Sequence, residues 1–292
     1  MDAVTLFSPA KLNLFLAITG KRPDGYHDLV SVVVPLAWAD LLTATTAAPG
    51  RFGLVCTDPA VPTDGTNLVL KAAAAFVAAT GWGGGVAFRL EKRLPMQAGL
   101  GGGSSNAAAA LLALDRLAGT ALPADRLMGL AAQVGSDCAV FVTGRPAVMR
   151  GRGERVEALP EAAAARLKGR RVLVFKPDFG VATAWAYAHL PGLDGAAAAE
   201  ARLAAWLGDP SAPAEALLYN HLEQPVFAKY RALPALLAAL RADFGLEPRM
   251  SGSGSACFAL LPPAGGPDVK AVTAAIRAAW GESALVMEST IG

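Results

Sequence analysis

Cysteine is scarce in this chain: Cys56, Cys138 and Cys257 lie far apart, without the paired short spacing of a zinc site. Three dispersed thiols predict small buried residues in a reducing, cytoplasmic setting. Long apolar runs are missing as well. The longest are rich in alanine and are broken by Lys71 or Asp115 before they could span a bilayer, so no membrane partner is expected. The first residues, among them Asp2, Ser8, Pro9, Lys11 and Asn13, lack the charged start and apolar centre of a signal peptide. The 26 basic and 24 acidic residues are interspersed, and no Lys/Arg run could follow a nucleic-acid backbone. Nucleic acid is therefore not an expected partner.

What is present is enough apolar material, 53% of 292 residues, to fill more than one core. Residues 11–18 alternate, with Leu12, Leu14, Leu16 and Ile18 on one side, and predict a half-buried strand. Pro23-Asp24-Gly25 is a turn, and the apolar run over 29–36 completes an antiparallel ribbon. Further strands are expected at 41–46, 52–57 and 86–92, with a helix over 67–79. Residues 106–117 are apolar almost all round, the pattern of a buried helix. A helix over 123–133 and a strand over 138–142 follow. The second half opens with a strand at 171–175. Residues 191–213, rich in Gly, Ala and Pro, predict variable surface structure. Asn220 and Glu223 have capping-box spacing and predict a helix start. A turn over 250–256, an apolar run over 257–261 and a helix over 267–280 complete an α+β pattern in two domains, 1–155 and 156–292.

The chemistry concentrates in Pro95-Met96-Gln97-Ala98-Gly99-Leu100-Gly101-Gly102-Gly103-Ser104-Ser105-Asn106, between a strand and a buried helix. Glycines let the backbone come close to a phosphate, and the unpaired N–H groups and positive dipole end of the helix face it. Ser104 and Ser105 add hydroxyls that could reach the ligand or a metal ion. No Gly-Lys-Ser/Thr follows, so the segment is not a Walker A loop. A dinucleotide fold is excluded too, because the segment lies mid-chain after antiparallel strands. Asp137 opens an apolar run, where an aspartate either caps a turn or takes part in chemistry. Lys11 shares a strand face with Asn13, about 6.6 Å away; it is either solvated or points with Asn13 into a cleft. Gly252-Ser253-Gly254-Ser255 is a second glycine turn, able to approach a transferred phosphate from the other domain. Tyr26 and His27, taken alone, are ordinary hairpin residues.

Residues 9–14, the glycine segment, Gly135-Ser136-Asp137 and the 250–256 turn together resemble, in order and spacing, the three motifs and the aspartate of the GHMP kinases. Lys11-Leu12-Asn13-Leu14-Phe15-Leu16, followed by Arg22-Pro23-Asp24-Gly25-Tyr26-His27, is similar to the branch acting on a cytidine-diphosphate-linked methylerythritol. The resemblance implies a first domain like the second domain of ribosomal protein S5, a ferredoxin-like second domain, and a monomer or weak homodimer. It implies ATP- and Mg2+-dependent phosphorylation of the 2-hydroxyl of that small molecule, in non-mevalonate isoprenoid synthesis. Lys11 and Asp137 would be the catalytic pair, with Lys11 neutralising charge and holding Asp137 ionised, while Asn13 orients the acceptor. Residues 95 and 99–106 would bind ATP. His27 would meet the cytosine edge, and Tyr26 and Tyr187 its two faces. Magnesium ligands are not assigned. Gln97, Ala139 and His221 depart from the pattern without removing a catalytic group.

A mevalonate- or homoserine-type kinase would share the phosphate loop, but neither acceptor offers a ring for Tyr26 and His27. A non-catalytic RNA-binding module would need a basic, aromatic-studded surface and would have no use for Lys11 with Asp137.

Overall fold

The computed structural model describes residues 2–292. In chain order the elements of the first half are β1 (Ala3–Lys21), β2 (His27–Ala47), β3 (Phe52–Cys56), α1 (Leu68–Thr80), β4 (Gly85–Glu91), α2 (Gly102–Ala118), α3 (Ala124–Val134), α4 (Cys138–Thr143), β5 (Ala147–Gly151) and β6 (Arg155–Ala158). The second half contains α5 (Glu161–Leu167), β7 (Arg171–Lys176), α6 (Thr183–Ala188), α7 (Ala196–Gly208), β8 (Tyr219–Asn220), α8 (Glu223–Lys229), α9 (Ala232–Phe244), β9 (Arg249–Met250), β10 (Cys257–Leu260), α10 (Val269–Trp280) and β11 (Leu285–Thr290).

The Pro23-Asp24-Gly25 turn folds β1 back on β2 in a long antiparallel ribbon, as expected. The ribbon is the spine of a seven-stranded sheet ordered β3-β4-β2-β1-β8, with β5 alongside the first part of β2 and β6 alongside β5. The strands expected at 29–36 and 41–46 are one element, β2, which gives one stretch to β5 and the next to β4. Four antiparallel strands, β11-β7-β10-β9, form the second sheet. The second half also sends β8 into the first sheet, parallel to β1 through Phe15 with Tyr219 and Leu16 with Asn220.

Residues 10–18 of β1 are buried on both faces, not on one as the alternation predicts. Helix α2 covers one side, and α7 with residues of β7 and β10 covers the other. A polar side chain in this strand therefore has to find a partner inside the protein.

Three further expectations are corrected. Residues 138–142 form α4, not a strand: Cys138, Ala139, Val140 and Phe141 are buried beside α2 and α3, and Gly144 stops the helix at φ +60°. The 191–213 stretch is not only surface, since its helix α7 buries Ala199, Leu203 and Trp206 against the ribbon. A helix does start at Glu223, as expected, but Asn220 and Glu223 do not form a capping box. Leu222 precedes α8, and both polar side chains reach the 250–252 backbone instead. Among the described residues no helix is long and apolar enough to cross a membrane.

Candidate active site

A cavity of about 980 Å³ is lined by residues of the first half together with Thr183, Tyr187, Gly252 and Ser253 of the second. One wall is the glycine segment. Asp40, wholly buried in β2, fixes its start: Oδ1 accepts from the backbone N–H groups of Arg93 at 2.7 Å and Leu94 at 2.8 Å, and Oδ2 accepts from Lys92 Nζ at 2.5 Å and Asn106 Nδ2 at 2.9 Å. Strand, loop and helix are thus tied to one carboxylate. Gly101, at φ +72°, precedes α2, and a Cβ there would lie 2.7 Å from the Phe141 ring and 3.0 Å from Lys11 Cγ. Only glycine allows this approach.

Pro95, Gly99, Leu100, Gly101, Gly102, Gly103, Ser104 and Asn106 all line the cavity. Ser105 does not. Its hydroxyl accepts from Ser8 Oγ at 2.9 Å in the interior, so it is in no position to meet a ligand or a metal ion. The helix period explains the difference, because neighbouring positions point about 100° apart and only one of two adjacent serines faces the opening.

Lys11 crosses from β1 beneath this loop. Its backbone N–H donates to the Leu100 carbonyl at 2.9 Å, and its ammonium donates to Asn13 Oδ1. Asn13 Nδ2 in turn donates to Ser31 Oγ at 2.8 Å, and Ser31 donates to the Phe15 carbonyl at 2.6 Å. Lys11 Nζ stands 3.8 Å from Asp137 Oδ2. The lysine is 4% exposed and the aspartate side chain 39%, so the carboxylate is the accessible member of the pair. Burial pulls the Lys11 ammonium below the ordinary lysine range, and Asp137 offsets part of that shift. Asp137 occupies the residue before α4, yet its side chain makes no capping bond, which leaves the carboxylate free toward the cavity.

The second glycine turn closes the floor. The Ala256 N–H donates to the Ala98 carbonyl at 3.1 Å, and Ser251 Oγ donates to the Gly99 carbonyl at 3.1 Å. A Cβ on Gly252 would sit 3.2 Å from Lys11 Nζ and 3.1 Å from Asn13 Oδ1. Gly252 and Ser253 line the cavity, and Ser253 Oγ lies 2.8 Å from Thr183 Oγ1. Gly254 and Ser255 do not line it. The Gly254 N–H turns back to the Ser251 carbonyl, and the buried Ser255 hydroxyl donates to the Phe179 carbonyl. Gln97 keeps a left-handed backbone at φ +50° without being glycine, and its side chain reaches Gly180 in the other half.

Tyr26, His27 and Tyr187 form the far wall. The His27 and Tyr187 rings are 5.2 Å apart and tilted by 38°, too close for a third ring between them. Tyr26 stands apart, 51% exposed, with the Arg152 guanidinium 5.2 Å from its ring centre. Burial, then the charge of Lys21, lowers the His27 imidazole below its usual range. Burial, then the charge of Asp137, raises the Tyr187 phenol.

Sequence reasoning missed Asp40, Lys92, Arg152 and Thr183, and also the wall of Val61, Pro62, Thr66, Asn67 and Leu68. Asp40 carried the signal that singled out Asp137, an acid amid apolar residues; the remainder lie on loops or at the ends of strands and helices, without a pattern. Four cations, Lys11, Lys21, Lys92 and Arg152, line the cavity with one carboxylate, Asp137. Such a cavity suits polyanionic ligands.

Residues 67–145 match the GHMP kinases N terminal domain and residues 196–281 the GHMP kinases C terminal domain. The chain belongs to the GHMP kinases and has their two-domain α+β fold. A 4-diphosphocytidyl-2-C-methyl-D-erythritol kinase of Methylacidiphilum infernorum is 39% identical over 88% of this chain and 86% of its own length. A kinase with the same name from Burkholderia lata is also 39% identical, over 86% and 83%. A crystal structure of 4-(cytidine 5'-diphospho)-2C-methyl-D-erythritol kinase superposes with TM-score 0.74 at 37% identity, covering 99% of this chain and all of the other. Homoserine kinase from Cytophaga hutchinsonii superposes with TM-score 0.77 at 18% identity, covering 100% of this chain and 95% of its own. The fold is therefore shared by kinases with different acceptors, and acceptor choice rests on the side chains of the cavity.

Proposed function

We propose that this chain transfers the γ-phosphoryl group of ATP to the 2-hydroxyl of 4-diphosphocytidyl-2-C-methyl-D-erythritol, giving the 2-phosphate and ADP in non-mevalonate isoprenoid precursor biosynthesis. The observation that carries the proposal is the meeting of Lys11 and Asp137 beneath the glycine loop, in the same cavity as Tyr26, His27 and Tyr187. Residues 1–155 and 156–292 act as two domains, each lending one glycine turn to the cleft.

In this reading ATP lies along 99–104 with its phosphates at the start of α2, where unpaired N–H groups favour anions. Its base takes the side of the cavity built by Val61, Pro62, Leu68 and Met96, with Asn67 as a polar contact. The acceptor enters from the aromatic wall. His27 presents a hydrogen-bonding edge to the cytosine, and Tyr26 and Tyr187 provide ring faces. Asp137 aligns the acceptor hydroxyl and takes its proton, and Lys11 offsets charge on the attacking oxygen and the moving phosphoryl group. Asn13, held by Ser31, keeps Lys11 in place and orients the acceptor.

Among the described residues no group of three or more acidic, histidine or cysteine side chains could hold a metal ion. The donor set fits a magnesium ion carried mainly by nucleotide phosphates, as this hard cation needs few protein ligands. Ser104, at the start of α2, is a hydroxyl of the cavity suited to reach it, and the ion would supply charge neutralisation on the phosphates. The free thiols suit a reducing compartment, and a cytoplasmic location is part of this reading.

A coupled assay of ADP release tests the proposal. The expected result is turnover with 4-diphosphocytidyl-2-C-methyl-D-erythritol and almost none with mevalonate or homoserine. Equal rates on all three acceptors would remove the substrate assignment and leave kinase activity standing.

A further inference from the structure

We propose that Asn220 is a positioning residue of the phosphoryl-transfer site, holding the second glycine turn with its amides, and not its carbonyls, toward the cavity. The proposal rests on the kinase reading above. Asn220 lies in β8, is 3% exposed, and does not line the cavity. Its Nδ2 donates to the Met250 carbonyl at 2.7 Å and the Gly252 carbonyl at 2.8 Å, while its Oδ1 accepts from the Leu222 N–H at 2.9 Å. Both donors and the acceptor are used, and a flipped amide would set oxygen against two carbonyl oxygens.

The consequence follows from peptide planarity. In a trans peptide C=O and N–H point in opposite directions. Asn220 pulls the Gly252 carbonyl toward β8, so the Ser253 N–H points away from β8. Among the described residues neither the Gly252 nor the Ser253 N–H has an acceptor in the protein, and both residues line the cavity next to Lys11 and Asn13. Two free amides near a left-handed glycine, Gly252 at φ +55°, make a concavity that favours anions. Were the Gly252 peptide turned over, a carbonyl dipole would face the moving phosphoryl group with the wrong sign. Glu223 braces the same turn, its Oε1 accepting from the Met250 N–H at 2.9 Å. Because β8 is hydrogen-bonded to β1, the turn and Lys11 are registered on one strand. The departure at His221 leaves this device intact, because Asn220 and Glu223 carry it.

The test uses the full chain with Asn220→Asp, which sets a carboxylate against both carbonyls, and Asn220→Ser, which keeps one donor. The expected result is a fall in kcat of about 100-fold for Asn220→Asp and about tenfold for Asn220→Ser, with KM for ATP and for the acceptor changed by less than about threefold. In the wild-type chain the amide resonance of Ser253 is expected to shift on addition of the magnesium complex of AMP-PNP. Folded variants with wild-type kcat, or with raised KM at unchanged kcat, would overturn the proposal. Should both variants fail to fold, a Ser253 resonance unmoved by AMP-PNP overturns it. A wild-type chain that consumes no ATP with the acceptor defeats the kinase reading instead, and the Ser253 shift then still decides which way the turn faces.

Discussion

The two glycine turns that meet at the cavity floor are held in different ways. The first, residues 95–106, runs into α2, and the helix itself supplies the free N–H groups and orients them. The second, residues 250–256, runs into β10, and its shape depends on two side chains brought from elsewhere, Asn220 and Glu223. A turn backed by a helix can be recognised from local sequence. A turn backed by distant side chains shows its glycines in the sequence but not what holds them, because Asn220 and Glu223 lie some 30 residues away.

Substitutions at the contact and away from it sharpen this contrast. Gly99 has φ +73°, and a Cβ there would lie 2.1 Å from the Ser251 carbonyl oxygen and 3.0 Å from the Gly254 nitrogen, both backbone atoms. Gly99→Ala is expected to push the two turns apart, to cost about 3 kcal/mol of stability, and to abolish turnover. At Gly103 the nearest neighbour of a Cβ is Leu68 Cδ1 at 3.8 Å, an ordinary contact. Gly103→Ala is expected to leave Tm unchanged or slightly higher, since alanine favours the helix by up to about 1 kcal/mol, while KM for ATP rises. Thermal unfolding and steady-state kinetics on both variants check the pair. Equal loss of stability in both would contradict the different roles given to the two positions.

A smaller effect is expected from pH. The buried Lys11 ammonium titrates below the ordinary value of 10.5, so a rate that needs it charged declines at a pH lower than for an exposed lysine. Stability moves in the opposite direction. The unfolded chain binds the Lys11 proton more tightly than the folded one, so this residue's contribution to stability rises as pH passes from the folded pKa toward the ordinary one. An alkaline limb in kcat/KM without a matching loss of Tm is the expected result. Rate and Tm falling together would indicate unfolding, not titration of Lys11.

Much of the fold was legible because local rules and burial agreed. Pro23-Asp24-Gly25 marks the hairpin, Asn67 accepts from the Val69 N–H at the start of α1, and Gly119 ends α2 at φ +64°. The misreadings fall where tertiary packing decided. Residues 138–142 carry Val140 and Val142 and suit a strand by composition, yet their position between α2, α3 and β6 makes them a helix. A short apolar run does not distinguish the two by periodicity. The alternation in β1 gave the strand but not its burial on both sides, because α7 and β7, which cover the second face, lie more than 150 residues further on. The same applies to the site. Gly99 to Ser104 and Asp137 could be found from local pattern, whereas Asp40 and Asn220 act through partners that only the folded chain brings near.

The central claim is that the accessible carboxylate beside Lys11 takes part in the transfer and does not merely hold the fold. Asp137→Asn keeps shape and volume, and the side chain makes no capping bond that α4 would lose. The direct measurement is single-turnover phosphoryl transfer by Asp137→Asn, with ATP affinity and Tm determined on the same preparation. The expected result is a rate about 1,000-fold lower at unchanged affinity and Tm; a rate within a fewfold of wild type would contradict the claim.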